Sequence, residues 1–149
     1  MPLAGRKAPA DPSQSSNASR LAAWTEVEDV PFEGPWPDLP RTYGDAVGMP
    51  ELGPWTPPTR RWYNTLKRLP HAVLWRDTDW EYLLATAIIH HRFLAGGSGG
   101  QAAATELRRR ERELGMTVDA RRDLRIRYVP KKTGPELAPV RAIDDVRSL

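Results

Sequence analysis

Thr78-Asp79-Trp80-Glu81-Tyr82-Leu83-Leu84-Ala85-Thr86-Ala87-Ile88-Ile89-His90-His91-Arg92-Phe93 is the stretch that decides the fold. Trp80, Leu83, Leu84, Ala87, Ile88 and His91 recur at helical spacing, which places them on one face of an α-helix. Thr78 through Glu81 reads as a capping box, with acidic residues in the electropositive first turn. Tyr82, Ile89 and Phe93 form a second apolar stripe on another face. One face packs within the subunit, and the other needs a further partner. Gly96-Gly97-Ser98-Gly99-Gly100 then ends the helix as a turn.

The flanking segments read as helices too. Thr56-Pro57-Pro58 is a helix start, with Thr56 as N-cap and proline in the first turn. That helix runs from Thr59 to Leu69 and stops at Pro70. Trp62, Leu66 and Leu69 make its apolar stripe, and Arg60, Arg61, Lys67 and Arg68 lie mostly off it. Beyond the glycines, Gln101 to Leu114 forms a third helix that ends at Gly115. Its seam is narrow (Ala103, Leu107, Leu114) and the rest is charged. Packing as an antiparallel hairpin around the glycine turn follows. Thr117 opens a fourth segment that ends before Pro130. Ala120, Leu124 and Tyr128 at i+4 steps favour a short helix there. Leu124 to Val129 also alternates with period two, which is the strand pattern. The expected fold class is all-α: a helical hairpin core with short flanking helices and an extended, proline-rich N-terminal arm.

Composition divides the 149 residues into three parts. Residues 1–55 form a proline-rich arm, 56–129 the helical core, and 130–149 a C-terminal tail. Of 15 prolines, 11 lie in the first 58 residues. Residues 2–19 lack the periodicity that a core needs. Residues 30–58 interleave proline with Phe32, Trp36, Tyr43 and Trp55. They read either as a strap laid across a neighbouring surface or as a linker, and the aromatic content favours the strap. The chain carries 22 Lys/Arg against 19 Asp/Glu. The small excess hides a basic middle between two acidic arms, which points to an anionic partner. With no cysteine, disulfides and thiolate chemistry are excluded. No apolar run approaches a membrane span and no signal-peptide core opens the chain.

Catalytic chemistry finds little support. His90 and His91 are adjacent on a helix and point about 100° apart, so they do not readily chelate one metal ion. Asp77, Asp79 and Glu81 are better explained by helix capping than by a metal site. The glycine run lacks the Lys-Ser/Thr ending of a phosphate loop. No catalytic residues, metal ligands or cofactor are assigned. The basic residues remain as candidates for phosphate contact: Arg121, Arg122, Arg125, Lys131 and Lys132 first, then Arg60, Arg61, Lys67 and Arg68. The interspersed charges from Arg108 to Glu113 read as a salt-bridged face.

Thr59-Arg60-Arg61-Trp62-Tyr63, Leu69-Pro70-His71-Ala72 and Thr78-Asp79-Trp80 together resemble the small subunit of tailed-phage terminases, of the type common in phages of actinobacteria. The likeness continues through Leu83-Leu84, Ala87, His90-His91, Glu106-Leu107-Arg108, Leu114-Gly115-Met116-Thr117, Asp119, Arg121-Arg122 and Leu124-Arg125. It covers about residues 55–129. Gly5-Arg6-Lys7-Ala8-Pro9 also resembles that family's start, although Asp11 to Asn17 lacks the basic run often found there. The resemblance implies a non-enzymatic packaging factor of the host cytoplasm, absent from the mature virion. Such subunits form homo-oligomeric rings, engage double-stranded viral DNA, and recruit the large terminase subunit that holds the ATPase and nuclease. A ring would bury Tyr82, Ile89 and Phe93, with Leu107 and Leu114, between copies. Val140, Ile143, Val146 and Leu149 fall at three-residue steps and read either as a short amphipathic helix that docks on the large subunit or as a frayed terminus. The rival reading is a small helical, dimeric DNA-binding transcription regulator. A small nuclease is the third and weakest.

Overall fold

The computed structural model describes residues 23–96 and 100–134. Strand β1 (Thr25–Glu28) opens the chain, followed by α1 (Tyr43–Val47), α2 (Pro57–Leu66), α3 (Asp77–Leu94), α4 (Gly100–Glu113), α5 (Val118–Asp123) and strand β2 (Ile126–Val129). Short 3₁₀ turns occupy Pro50–Leu52 and Pro70–Leu74. The two strands pair in parallel, from Thr25 against Ile126 to Glu28 against Val129. Segments a hundred residues apart in sequence are thereby tied together.

α3 and α4 form the antiparallel hairpin. Tyr82, near the start of α3, donates its hydroxyl to Glu113 near the end of α4. The Arg110 guanidinium sits 4.8 Å over the Tyr82 ring. Leu66, Leu83 and Ala87 are fully buried, joined by Trp62, Tyr63, Trp80, Leu107 and Leu114. Burying side chains of this size stabilises a fold by about 1.5–3 kcal/mol each.

The stretch between the first strand and α2 is laid against this core. Phe32 stacks on Trp80 with ring centroids 6.1 Å apart. Tyr43 stacks on His91 at 3.8 Å. The Trp55 indole donates to the Pro40 carbonyl at 2.9 Å, and the Tyr63 hydroxyl to that of Pro37 at 2.5 Å. Proline removes backbone donors but keeps its carbonyl, so these carbonyls anchor the segment to buried aromatic side chains.

Several expectations need correction. The fold is mostly helical but not all-α, because Ile126–Val129 is a strand. The segment favoured as one helix splits in two. α5 ends at Asp123, and Arg125 turns the chain with φ 57° before the strand begins. Strand β1 supplies hydrogen bonds that local periodicity does not reveal: the Thr25 N–H reaches the Arg125 carbonyl at 2.8 Å and the Asp29 N–H that of Val129 at 2.8 Å. The α3 cap also lies two residues earlier than expected. Arg76 is the N-cap, and its N–H donates to the Asp79 carboxylate at 2.8 Å. Asp79 is the third residue of the helix, where a carboxylate reaches back to the cap. Thr78 is inside the helix. α2 ends at Leu66 rather than Leu69, since Pro70 holds Leu69 extended. Gly5 to Pro9, the turn residues 97–99, and Val140, Ile143, Val146 and Leu149 lie outside the described residues.

Candidate nucleic-acid interface

α2 is fixed on its inner side by a set of polar contacts. The Trp62 indole donates to the Glu111 carboxylate at 2.9 Å. Trp62 also stacks on His90 at 4.8 Å. Thr59 is buried, and its hydroxyl meets the His90 Nδ1 at 2.9 Å and the Thr56 hydroxyl at 2.7 Å. The Thr56 N–H donates to His91 Nδ1 at 3.1 Å, which leaves the His91 proton on Nε2. The two histidines therefore bind α2 to α3. His91 is buried as its place on the apolar stripe predicts, while His90 is half-buried rather than facing out. Burial lowers the pKa of both below 6.5.

The outer side of this anchored helix is cationic. Arg61, Thr65 and Arg68 fall at i, i+4 and i+7 and are exposed. With Pro31 and Asn64 they line a shallow cup. Among the described residues, neither the Arg61 nor the Arg68 guanidinium makes an ion pair or hydrogen bond. Arg61 lies on α2, and Arg68 lies in the tight turn just past its end, where its N–H bonds the Thr65 carbonyl at 3.3 Å. Arg60 and Lys67 lie on the neighbouring flank and are less available. Arg60 donates to the Arg41 carbonyl at 3.3 Å, and the Lys67 ammonium sits 4.7 Å over Trp36. Asp38 lines the same cleft as both.

The cations first favoured from sequence are placed differently. Arg121 is half-buried, donates to the carbonyls of Gly115 and Met116 at 3.1 Å each, and stacks over Tyr128 at 4.8 Å. It closes the α4–α5 turn. Arg122 pairs with Asp119 at 3.3 Å, and Arg125 carries the left-handed turn into β2. Lys131 and Lys132 are exposed in the segment after β2. Arg109 and Arg110 both bond Glu106 and hold its carboxyl down at about 2.

The stripe expected at a subunit contact divides. Leu107 and Leu114 are buried within the chain's own core, Tyr82 lies against α4, and Ile89 is half-buried against the core. Phe93 is 38% exposed and, with exposed Leu94, forms an apolar end to α3. Asn64 and Thr65 line the same cup, and charge counting does not pick them out; their position between two arginines is the signal that would have found them.

The described chain is a mostly helical scaffold that presents an exposed cationic face on α2 and the turn after it. A family model described as phage terminase small subunit matches residues 7–149, and the chain belongs to that family. Its role is accordingly in phage packaging. No curated protein and no solved structure matches. Among the described residues no helix is long and apolar enough to cross a membrane.

Proposed function

We propose that this chain is a non-catalytic, self-assembling adaptor of phage genome packaging. It acts in the host cytoplasm, grips double-stranded viral DNA with the outer face of α2, and brings the large terminase subunit to that DNA. The observation that carries the reading is the Arg61–Arg68 pair: on α2 and in the turn just past its end, two exposed guanidinium groups have no partner among the described residues, and the other side of α2 is anchored. A pre-positioned cation loses little conformational freedom on meeting a phosphate. Two such contacts bind weakly, and several identical copies arranged around one duplex would make them strong. Phe93 and Leu94 offer an apolar surface for contact between copies.

The test is fluorescence anisotropy with a labelled duplex, alongside light scattering. The expected result is salt-dependent binding by a multi-subunit species. Phe93→Asp should reduce the mass and weaken DNA binding together while leaving the helical signal intact. A monomer that ignores DNA at low salt would refute the reading. Ile89→Asp is the poorer probe, since Ile89 also packs on the subunit core.

A further inference from the structure

Beside β1 lies a groove of about 650 Å³, lined by Glu26, Glu28, Phe32, Glu33, Val73 and Leu74 among others. Among the described residues, β1 has β2 as its one neighbour in the sheet. In the parallel ladder, Thr25 and Asp29 direct their N–H groups to β2 carbonyls. By the alternation of a strand, the N–H groups of Glu26 and Glu28 then point away from β2, toward an edge that no described strand pairs with. Val73 and Leu74, in the 3₁₀ turn that packs beside β1, are 58% and 47% exposed. Large apolar side chains beside an open strand edge are features that proteins usually cover.

We propose that this groove is a docking site for an extended peptide of a partner protein, one that alternates apolar and cationic residues and adds to β1 as a third strand. The groove itself selects that chemistry. Successive strand residues point to opposite faces. Glu26 and Glu28 share one face of β1, and Glu33 adds a third carboxylate to the rim. Arg127 approaches Glu26 only to 4.0 Å, and Lys131 is the one cation lining the groove. The added strand's residues on the glutamate face would be cationic. Those on the other face would be apolar and would cover Val73 and Leu74. Main-chain hydrogen bonds to Glu26 and Glu28 would give affinity, and the alternation would give specificity. The four residues of β1 offer about 13 Å of edge at roughly 3.3 Å per residue. This surface is separate from the α2 face, so it stands or falls independently of DNA binding.

The test is anisotropy of a fluorescent Lys-Val-Lys-Val-Arg-Val peptide titrated with the full chain. The expected result is saturable binding, at least about tenfold weaker for the Glu-Val-Glu-Val-Glu-Val counterpart. Leu74→Asp and Glu28→Lys should each weaken the cationic peptide by about tenfold. Both positions are partly or largely exposed, and unchanged circular dichroism melts would show that the variants fold. Equal binding of the two peptides, or indifference to both substitutions, would overturn the proposal. Displacement by a synthetic peptide of residues 135–149 as effectively as by the unlabelled cationic peptide would overturn it in favour of the chain's own tail. Loss of self-association in Leu74→Asp, with no peptide binding by the native chain, would overturn it in favour of a second copy.

Discussion

The arginines of α2 and those running from α4 to β2 are similar in density along the chain, yet the fold treats them oppositely. From α4 onward nearly every cation has work inside the subunit. Arg109 and Arg110 bond Glu106, Arg112 bonds Asp123, Arg121 closes the α4–α5 turn, and Arg127 lies 5.0 Å over Trp24. Arg61 on α2 and Arg68 just past its end are exposed and have no partner among the described residues. No acidic residue occurs from 52 to 76, whereas five occur from Glu106 to Asp123 inclusive. A cation with a carboxylate three or four residues away on a helix is neutralised locally. One without it keeps its charge for an external phosphate. Counting positive residues and counting the carboxylates within helical reach therefore rank the two regions differently, and the proposed DNA face follows the second ranking.

The strongest way to break this contrast is charge reversal on α2. Arg61→Glu combined with Arg68→Glu should abolish measurable duplex binding at moderate salt, because attraction becomes repulsion. Circular dichroism should be unchanged, since neither guanidinium holds the fold. On the other side of the comparison, Arg121→Ala should act on stability. It removes two charge-assisted hydrogen bonds and a ring contact, and should cost about 2 kcal/mol in urea unfolding. DNA affinity of the folded fraction should hardly move. An Arg121→Ala protein of native stability with lost DNA binding would reverse the assignment.

Acidity tests the anchors of both regions. His71 is buried, donates from Nε2 to the Leu114 carbonyl at 2.8 Å, and accepts at Nδ1 from the Tyr128 hydroxyl at 2.7 Å. Burial, with the nearby Arg121 charge as a lesser cause, lowers its pKa below 6.5. His90 and His91 are lowered in the same direction. The unfolded chain therefore takes up protons first as pH falls through 6.5. Stability should be full above that value and decline below it toward the folded-state pKa values. Urea midpoints at about pH 7.5 and about pH 5.5 should show the drop. His71→Gln should reduce the pH dependence; a flat profile in the native protein would contradict the neutral-histidine anchors. The smallest effect is expected from Arg109→Ala, whose exposed ion pairs are screened by solvent. Its unfolding midpoint should match the native protein within error.

Much of the hairpin was legible in the sequence because α3 and α4 announce themselves locally. The Trp80–His91 stripe, the glycine turn and Gly115 are all short-range signals. Gly115 has φ 71°, and a Cβ there would sit 2.9 Å from His71 Nε2, so its glycine serves both the turn and the packing. The strand Ile126–Val129 was legible only as the less favoured alternative, because its period-two pattern competes with helical spacing and its deciding partner lies a hundred residues upstream. The availability of Arg61 and Arg68 was hidden for a related reason. Their helix was visible, but the engagement of the rival cations depends on tertiary contacts such as Arg121 with the Gly115 and Met116 carbonyls.

The salt dependence of duplex binding, measured side by side for Arg61→Ala/Arg68→Ala and Arg122→Ala/Arg127→Ala, tests the central claim most directly. The α2 pair should lower the slope of log affinity against log salt by about 2 per chain engaged. The other pair should leave that slope nearly unchanged. The opposite pattern, with the slope falling only when Arg122 and Arg127 are removed, would contradict the account.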